Sequence, residues 1–186
     1  MTSRSFALSS GPGEWNVLLF GNYDLVSPNT GTVYTNAPAA ENSQWNKAFN
    51  NGAGGGLGIG YWFNDVVAFR IEAQFNEFNT PLSSSTSILG ALSAPLTGGL
   101  EVKLLGNADY FLYAAVDLGA AYENDIGSLI SSVSPAWSAY ADAGIGLNID
   151  WIFLEVKIAY LPETFPNASF GQNPFWHVPV SAGFNF

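Results

Sequence analysis

Apolar and polar residues alternate one by one along much of the chain, and the stretch RIEAQFNEF from Arg70 to Phe78 is a clear example. Ile71, Ala73 and Phe75 form an apolar set, and the residues between them are charged or carry an amide. A β-strand points successive side chains to opposite faces, so this period of two predicts a strand with one apolar and one polar face. The same period recurs in seven other segments, and we therefore predict eight strands of roughly ten residues each.

The connections between these segments alternate between short turns and long loops. The short ones are polar and lie at residues 64–65, 106–109 and 148–150. The long ones are rich in Ser, Asn, Pro and Gly and cover about 26–51, 79–95, 123–136 and 162–175. Because neighbouring strands run up and down, short and long connections fall at opposite ends of a barrel. We predict an all-β, eight-stranded antiparallel up-and-down transmembrane β-barrel, with short periplasmic turns and four longer extracellular loops. Residues 14–186 would form the barrel and residues 1–13 a flexible N-terminal segment.

The alternation alone does not say which face is outside, because a soluble lipocalin-like barrel also alternates, with its apolar face inward. The more polar face carries few charges between many glycines and large aromatic side chains, which is unusual for a solvated surface. A crowded barrel interior accounts for this mixture, because glycines make room for rings from opposite strands. The aromatic residues predicted to lie inside are Phe20, Trp62, Phe111, Tyr113, Tyr140, Trp151 and Phe153.

Aromatic residues of the apolar face cluster near the predicted strand ends, as expected for girdles at two membrane–water interfaces. The girdle at the turn end would contain Trp15, Tyr61, Phe63 and Tyr110, with Phe184 and Phe186. The girdle at the loop end would contain Tyr23, Phe75, Tyr122, Trp137, Tyr160 and Trp176.

Charged residues of the strands fall on the more polar face. A charge facing hydrocarbon costs a few kcal/mol, whereas charges inside a barrel can pair with one another. We therefore predict a charge network in the lumen. Its members would be Arg70, Glu72, Glu101, Lys103, Asp117, Asp142, Glu155 and Lys157.

Composition supports a membrane location and excludes several classes of function. Charged residues make up 11% of the chain, against about 25% in an ordinary soluble domain. The net charge of −10 argues against nucleic acid as a partner, since phosphate binding needs a basic patch. There are no cysteines, so thiolate catalysis and disulfides are excluded. The first residues lack the apolar stretch of an intact signal peptide, and we expect that such a peptide has been removed.

Candidate chemistry is sparse, and we predict no enzymatic activity, no metal and no cofactor. The glycine run GAGGGLGIG lacks the spacing and the Lys of a phosphate-binding loop. His177 is the single histidine and would be a hydrogen-bonded residue of the lumen rather than part of a catalytic triad. Asp117 and Asp142 could form a general acid/base pair or belong to a salt-bridge network with Arg70, Lys103 and Lys157. A narrow interior favours the network.

The sequence resembles the family of small bacterial outer-membrane β-barrels of the OmpA/OmpX type. The resemblance covers nearly the whole chain and rests on GLGIGYWF, RIEAQF and the ending SAGFNF. It implies that the last strand is the signal read by the barrel-assembly machinery, with Gly183, Phe184 and Phe186 as the matching residues.

We therefore expect a protein of the bacterial outer membrane, in contact with lipid and lipopolysaccharide, whose lumen is plugged by its own side chains. Its role would be structural or adhesive, with the loops binding a protein or a surface. The loop aromatics would either form contact surfaces or pack on each other and on headgroups; they are Trp45, Phe49, Phe165, Phe170 and Phe175. Two alternatives stay open, namely a narrow ion-conducting channel and a soluble lipocalin-like carrier.

Overall fold

The computed structural model describes most of the chain, and the part it describes is built from β-strands. The described residues are 11–26, 32–33, 43–44, 51–79, 90–126, 135–162 and 174–186. The strands are β1 (Trp15–Val26), β2 (Thr32–Val33), β3 (Ser43–Gln44), β4 (Gly52–Trp62), β5 (Val67–Asn79), β6 (Gly90–Gly106), β7 (Tyr110–Ile126), β8 (Ala136–Ile149), β9 (Ile152–Leu161) and β10 (Phe175–Asn185). Within these ranges no helix is long and apolar enough to cross a membrane.

Eight of the strands close into one antiparallel barrel, which confirms the predicted fold class. Their order around the barrel is β1-β4-β5-β6-β7-β8-β9-β10, and β10 pairs with β1 to close it. Each strand therefore lies beside its neighbours in the chain, as in an up-and-down barrel. β2 and β3 belong to the first long connection and form a separate two-stranded sheet.

The strands are staggered around the barrel. Following paired residues from Asn16 through every strand in turn leads back to Val26, ten residues further along β1. A stagger of this size requires the strands to tilt by roughly 40° from the barrel axis. Side chains that meet inside the barrel can therefore come from strands that are not neighbours and from distant parts of the chain.

The three short turns lie at one end of the barrel, where the first barrel strand also begins and the last one finishes. We call this the turn end, and we call the opposite end the loop end. In two of the turns an asparagine side chain accepts hydrogen bonds from the backbone amides two and three residues later in the chain. Asn64 Oδ1 accepts from Val66 and Val67 at 2.8 Å, and Asn107 Oδ1 accepts from Asp109 and Tyr110 at 2.9 Å.

The prediction that Trp151 points into the lumen is wrong. Ile149 pairs with Ile152, so Asp150 and Trp151 are the two central residues of a tight turn and not part of a strand. Asp150 has a φ of 57°, in the left-handed region, so the alternation of β8 is not continued into β9. Trp151 lies outside the barrel and stacks on Phe184 with 5.1 Å between ring centroids.

A second irregularity lies near the end of β6. The register with β7 shifts between Lys103 and Leu105, so two residues of β6 are accommodated where one is expected. Leu104 and Leu105 are consequently both exposed on the outside, a feature that strict alternation did not predict.

Burial in the barrel is reversed relative to a soluble protein. The charged side chains of Asp117, Glu155 and Lys157 are almost completely buried, whereas Leu118 and Leu154 are more than half exposed. The alternation recurs in the other barrel strands, so large apolar side chains cover the outside, while the inside holds the charged and amide side chains together with glycines and aromatic rings. The lipocalin-like alternative, which requires the apolar face inward, is not supported by this arrangement.

Replacing Val156 with arginine tests the direction of the outer face. Val156 lies outward near the middle of β9 and is 45% exposed. A charge there would face mid-bilayer, so we expect Val156→Arg to destabilise the folded barrel by about 2–4 kcal/mol. The matched control is Val66→Arg, which changes a turn residue that is 47% exposed. This variant should lose less than about 1 kcal/mol of folding free energy. Denaturant titration in lipid vesicles, read out by heat-modifiable gel migration, measures both. Equal losses would contradict the assignment of the outer face to lipid.

Candidate functional site in the barrel lumen

One strand leaves space for the side chains of the others. Every inward position of β4 before Trp62 is a glycine, namely Gly52, Gly54, Gly56, Gly58 and Gly60. A Cβ added at Gly56 would lie 2.6 Å from Cζ of Phe20, and one at Gly58 would lie 3.1 Å from Cδ1 of Leu18. The glycine run therefore lets neighbouring side chains lie flat against the wall of the lumen.

A layer of buried charges crosses the middle of the lumen, and Arg70 of β5 is one of its two cations. The guanidinium donates from Nε and Nη2 to the carboxylate of Asp117, with Nε 3.0 Å from Oδ1. Its Nη1 donates to Glu155 Oε2 at 2.8 Å. Glu72 and Glu101 lie 3.4 and 3.8 Å from the same nitrogen. One arginine thus ties together carboxylates from β5, β6, β7 and β9.

Lys157 of β9 is the second cation of this layer. Its Nζ lies 2.8 Å from Glu72, 3.1 Å from Asp117 and 3.2 Å from Glu155. A fourth carboxylate, that of Asp142, lies at 3.5 Å. We call Arg70, Lys157 and the five carboxyl side chains around them the charge layer; the carboxyl groups belong to Glu72, Glu101, Asp117, Asp142 and Glu155.

Lys103 is the one predicted network residue that lies apart from the charge layer. It is half-buried at the turn end, and its Nζ lies 4.7 Å from the ring centroid of Trp62 and 4.5 Å from that of Phe111. This is the geometry of a cation–π contact. Lys103 lies near the turn end of β6, next to the bulge, whereas the charge layer lies further towards the loop end. This position explains why Lys103 is not part of the charge layer.

Aromatic side chains fill the lumen at the turn end. Trp62 and Phe111 are buried and pack edge to face at 5.6 Å, with Tyr113 beside them. Phe20 and Phe153 form a second edge-to-face pair at 5.9 Å. Both groups lie in the lumen on the turn-end side of the charge layer.

At the loop end the lumen holds a histidine–aspartate pair. His177 Nδ1 lies 2.9 Å from Asp24 Oδ1, and both side chains are fully buried. The rings of Phe78 and Phe175 flank the imidazole at 5.5 and 5.3 Å. Phe175, considered above as a loop aromatic, thus lies inside the barrel; Trp45, Phe49, Phe165 and Phe170 lie outside the described residues.

The sequence placed His177 in the lumen near the loop end but did not identify its partner. The signal was present, because Asp24 is an inward residue of β1 near the same end and β1 must pair with β10 to close the barrel. Nε2 of His177 has no hydrogen-bond partner within the described residues. The contact between base and nucleophile that a catalytic triad requires is therefore not made in this part of the chain. The described residues also contain no group of three or more side chains suited to hold a metal ion.

The residues predicted for the girdles lie on the outside of the barrel, several of them in contact with one another. At the turn end the ring centroids of Trp15 and Tyr61 are 4.9 Å apart, and Phe63 lies 5.4 Å from Tyr61. At the loop end Tyr160 lies 4.3 Å from Trp176. Tyr122 and Trp137 form a further loop-end pair at 5.6 Å, while Tyr23, Phe75 and Tyr110 are about half exposed.

The last strand places its terminal aromatics on the outer face. Phe184 and Phe186 are exposed, and the backbone of Phe186 exchanges two hydrogen bonds with Val17 at 2.7 and 2.8 Å. Gly183 faces inward against Phe20. The structure describes these positions in the finished barrel, and their role in assembly stays a prediction.

Comparison with known proteins gave one weak similarity in sequence. No family model matches the chain. Over 121 residues it is 29% identical to the endoplasmic reticulum mannosyl-oligosaccharide 1,2-α-mannosidase of Saccharomyces cerevisiae, which corresponds to 60% of this chain and 21% of that protein. The chain spans about a fifth of the length of this relative, so the similarity does not carry the activity of that protein over to it.

Comparison of structures gave small outer-membrane proteins. OprG of Pseudomonas aeruginosa superimposes with a TM-score of 0.53 and 14% identity, covering 96% of this chain and 99% of OprG. Ail, the attachment invasion locus protein of Yersinia pestis, gives 0.51 and 14%, covering 94% and 99%. AlkL, determined in lipid bilayers, gives 0.54 and 12%, covering 100% and 95%. The closed barrel, the outward apolar face and these superpositions agree: the chain has the fold of small eight-stranded outer-membrane β-barrels.

Proposed function

We propose that the chain is an integral protein of the bacterial outer membrane that has a structural role or mediates contacts through its loops, and that it is not an enzyme. The observation that supports this proposal is the packing of side chains at three levels of the lumen. Aromatic rings at the turn end, the charge layer in the middle and the ring-flanked His177–Asp24 pair at the loop end occupy successive levels of the interior. An eight-stranded barrel is only wide enough for its own side chains, so activity is left to its outer and loop-end surfaces.

The connections at the loop end have a composition that suggests the kind of partner they bind. Between the described barrel strands, residues 27–50, 80–89, 127–134 and 163–173 contain one basic residue, Lys47, and two acidic ones, Glu41 and Glu163. Their remaining residues are largely Ser, Thr, Asn, Pro, Gly and aromatics. Such segments recognise partners by hydroxyl, amide and ring contacts rather than by ion pairs.

This composition separates the chain from one of its structural neighbours. Ail has been crystallised with the heparin analogue sucrose octasulfate, a densely anionic ligand that requires basic residues. With Lys47 as the single basic residue of its loop segments, this chain is not suited to such a ligand. We propose an uncharged partner surface, of protein or carbohydrate.

Planar-bilayer recording tests the filled lumen. We expect the purified barrel to give no steady conductance under conditions in which a general porin conducts, because side chains block each level of the lumen. The narrow-channel alternative predicts a steady conductance that changes in Lys157→Gln, since Lys157 lies in the charge layer. Observation of both effects would overturn the proposal in favour of a channel.

Loop replacement tests where contacts are made. A variant in which the four loop segments are replaced by short Gly-Ser turns should keep heat-modifiable migration, because the strand pairs and the lumen contacts are unchanged. It should lose at least about tenfold in adhesion of expressing cells to host-cell and carbohydrate-coated surfaces, and adhesion of the unmodified protein should change little with salt.

The control for this experiment replaces residues 1–10, which precede β1 in the sequence, and should leave adhesion unchanged. Adhesion that survives loop replacement, or that is abolished by moderate salt, would contradict the proposed contact surface.

A further inference from the structure

The charge layer contains more negative than positive groups. Five carboxyl groups surround two cations, and all seven side chains are at least nine-tenths buried. If every carboxyl group were ionised, three negative charges would lack a compensating cation. An unpaired charge is costly in a region shielded from water, and a carboxyl group in that situation binds a proton instead.

Two of the five carboxyl groups face each other directly. Asp117 on β7 and Asp142 on β8 are paired residues of neighbouring strands, and both point inward. Like charges at opposite positions of an antiparallel pair repel each other. Two carboxyl groups in such a position share one proton more readily than they carry two charges.

The two aspartates differ in their hydrogen bonds, which indicates where the proton resides. Asp117 accepts from Arg70 and from Lys157, so its negative charge is matched by donors. The side chain of Asp142 has no solvent exposure, and neither of its oxygens has a hydrogen-bond donor among the described residues. An ionised carboxylate is purely an acceptor and needs such donors, whereas a protonated one supplies its own.

The groups around this pair leave no spare cation for Asp142. Arg70 is engaged by Asp117 and Glu155, and Lys157 lies closer to three other carboxylates than to Asp142. His177, one level towards the loop end, is paired with Asp24. The titratable and charged groups that face the pair are Arg70 and Glu72 from β5, Glu101 from β6, Tyr113 from β7, Tyr140 from β8, Glu155 and Lys157 from β9, His177 from β10 and Asp24 from β1, while β4 presents glycines.

We propose that Asp142 holds a proton at neutral pH and donates it as a hydrogen bond to Asp117, so that this carboxyl pair is a proton-binding site at the centre of the barrel. The proton removes one of the uncompensated charges and satisfies an oxygen of Asp142. The folded barrel then binds a proton that the unfolded chain, with a solvated aspartate, does not hold at neutral pH. Its stability must therefore fall as the pH rises and the proton is lost.

Infrared spectroscopy of the refolded protein in lipid vesicles tests for the proton directly. At neutral pH the wild-type barrel should show the carbonyl stretch of a protonated carboxylic acid, with the shift expected on exchange into D₂O. The band should lose the intensity of one carboxyl group in Asp142→Asn and be unchanged in the matched control Asp65→Asn, which removes an aspartate from an exposed turn. Absence of the band from the wild type, or a band of unchanged intensity in Asp142→Asn, would overturn the proposal.

Stability as a function of pH provides a second measurement. Between about pH 6 and about pH 9 the folding equilibrium constant of the wild type should fall relative to that of Asp142→Asn, by at most about tenfold per pH unit for one proton. Asp142→Asn should fold normally, because an amide replaces a neutral acid. Asp117→Asn should be destabilised at every pH, because Arg70 and Lys157 lose their shared acceptor. Failure of Asp142→Asn to fold, or parallel pH profiles of wild type and Asp142→Asn, would overturn the proposal.

Discussion

Closure of the sheet is the constraint from which the rest of this structure follows. In hydrocarbon no water can satisfy a free backbone N–H or C=O, so a membrane-spanning sheet must pair its last strand with its first. Here β10 pairs with β1 along nine residue pairs from Leu18↔Asn185 to Val26↔His177. Closure with eight strands and a stagger of ten residues sets the width of the interior, and that width decides what the inward side chains can be.

The narrow interior holds buried charged side chains, and in this respect it behaves as a polar protein core. Charges are placed there because the outer face cannot hold them, and they must then neutralise one another. Arg70 is suited to this position because its planar guanidinium presents donors in several directions at once, and it contacts carboxylates on three other strands. The glycines of β4 make room for large side chains in this narrow interior, since they provide the space into which Phe20 and Leu18 extend.

The sequence predicted the fold and the two faces because both depend on a local period of two, which each strand carries independently. It failed where the period is interrupted: Trp151 lies in a turn, and the bulge after Lys103 puts two leucines outside. It also could not assign partners. Arg70 and Glu155 are 85 residues apart in the sequence, and Asp24 and His177 are 153 residues apart. The stagger of the strands determines which inward residues lie at the same level, and no single strand encodes that stagger.

The lumen contacts are distributed unevenly, and this bears on how the barrel is held together. Every member of the charge layer lies on the continuous stretch from β5 to β9. The inward residues of the remaining strands, β10, β1 and β4, include glycines, the amides of Asn16 and Asn185, and the Asp24–His177 pair, and Asn185 donates to Asn148 of β8. Because ionic contacts there are few, the closing seam depends on backbone pairing and on ring packing such as that of Phe20 with Phe153.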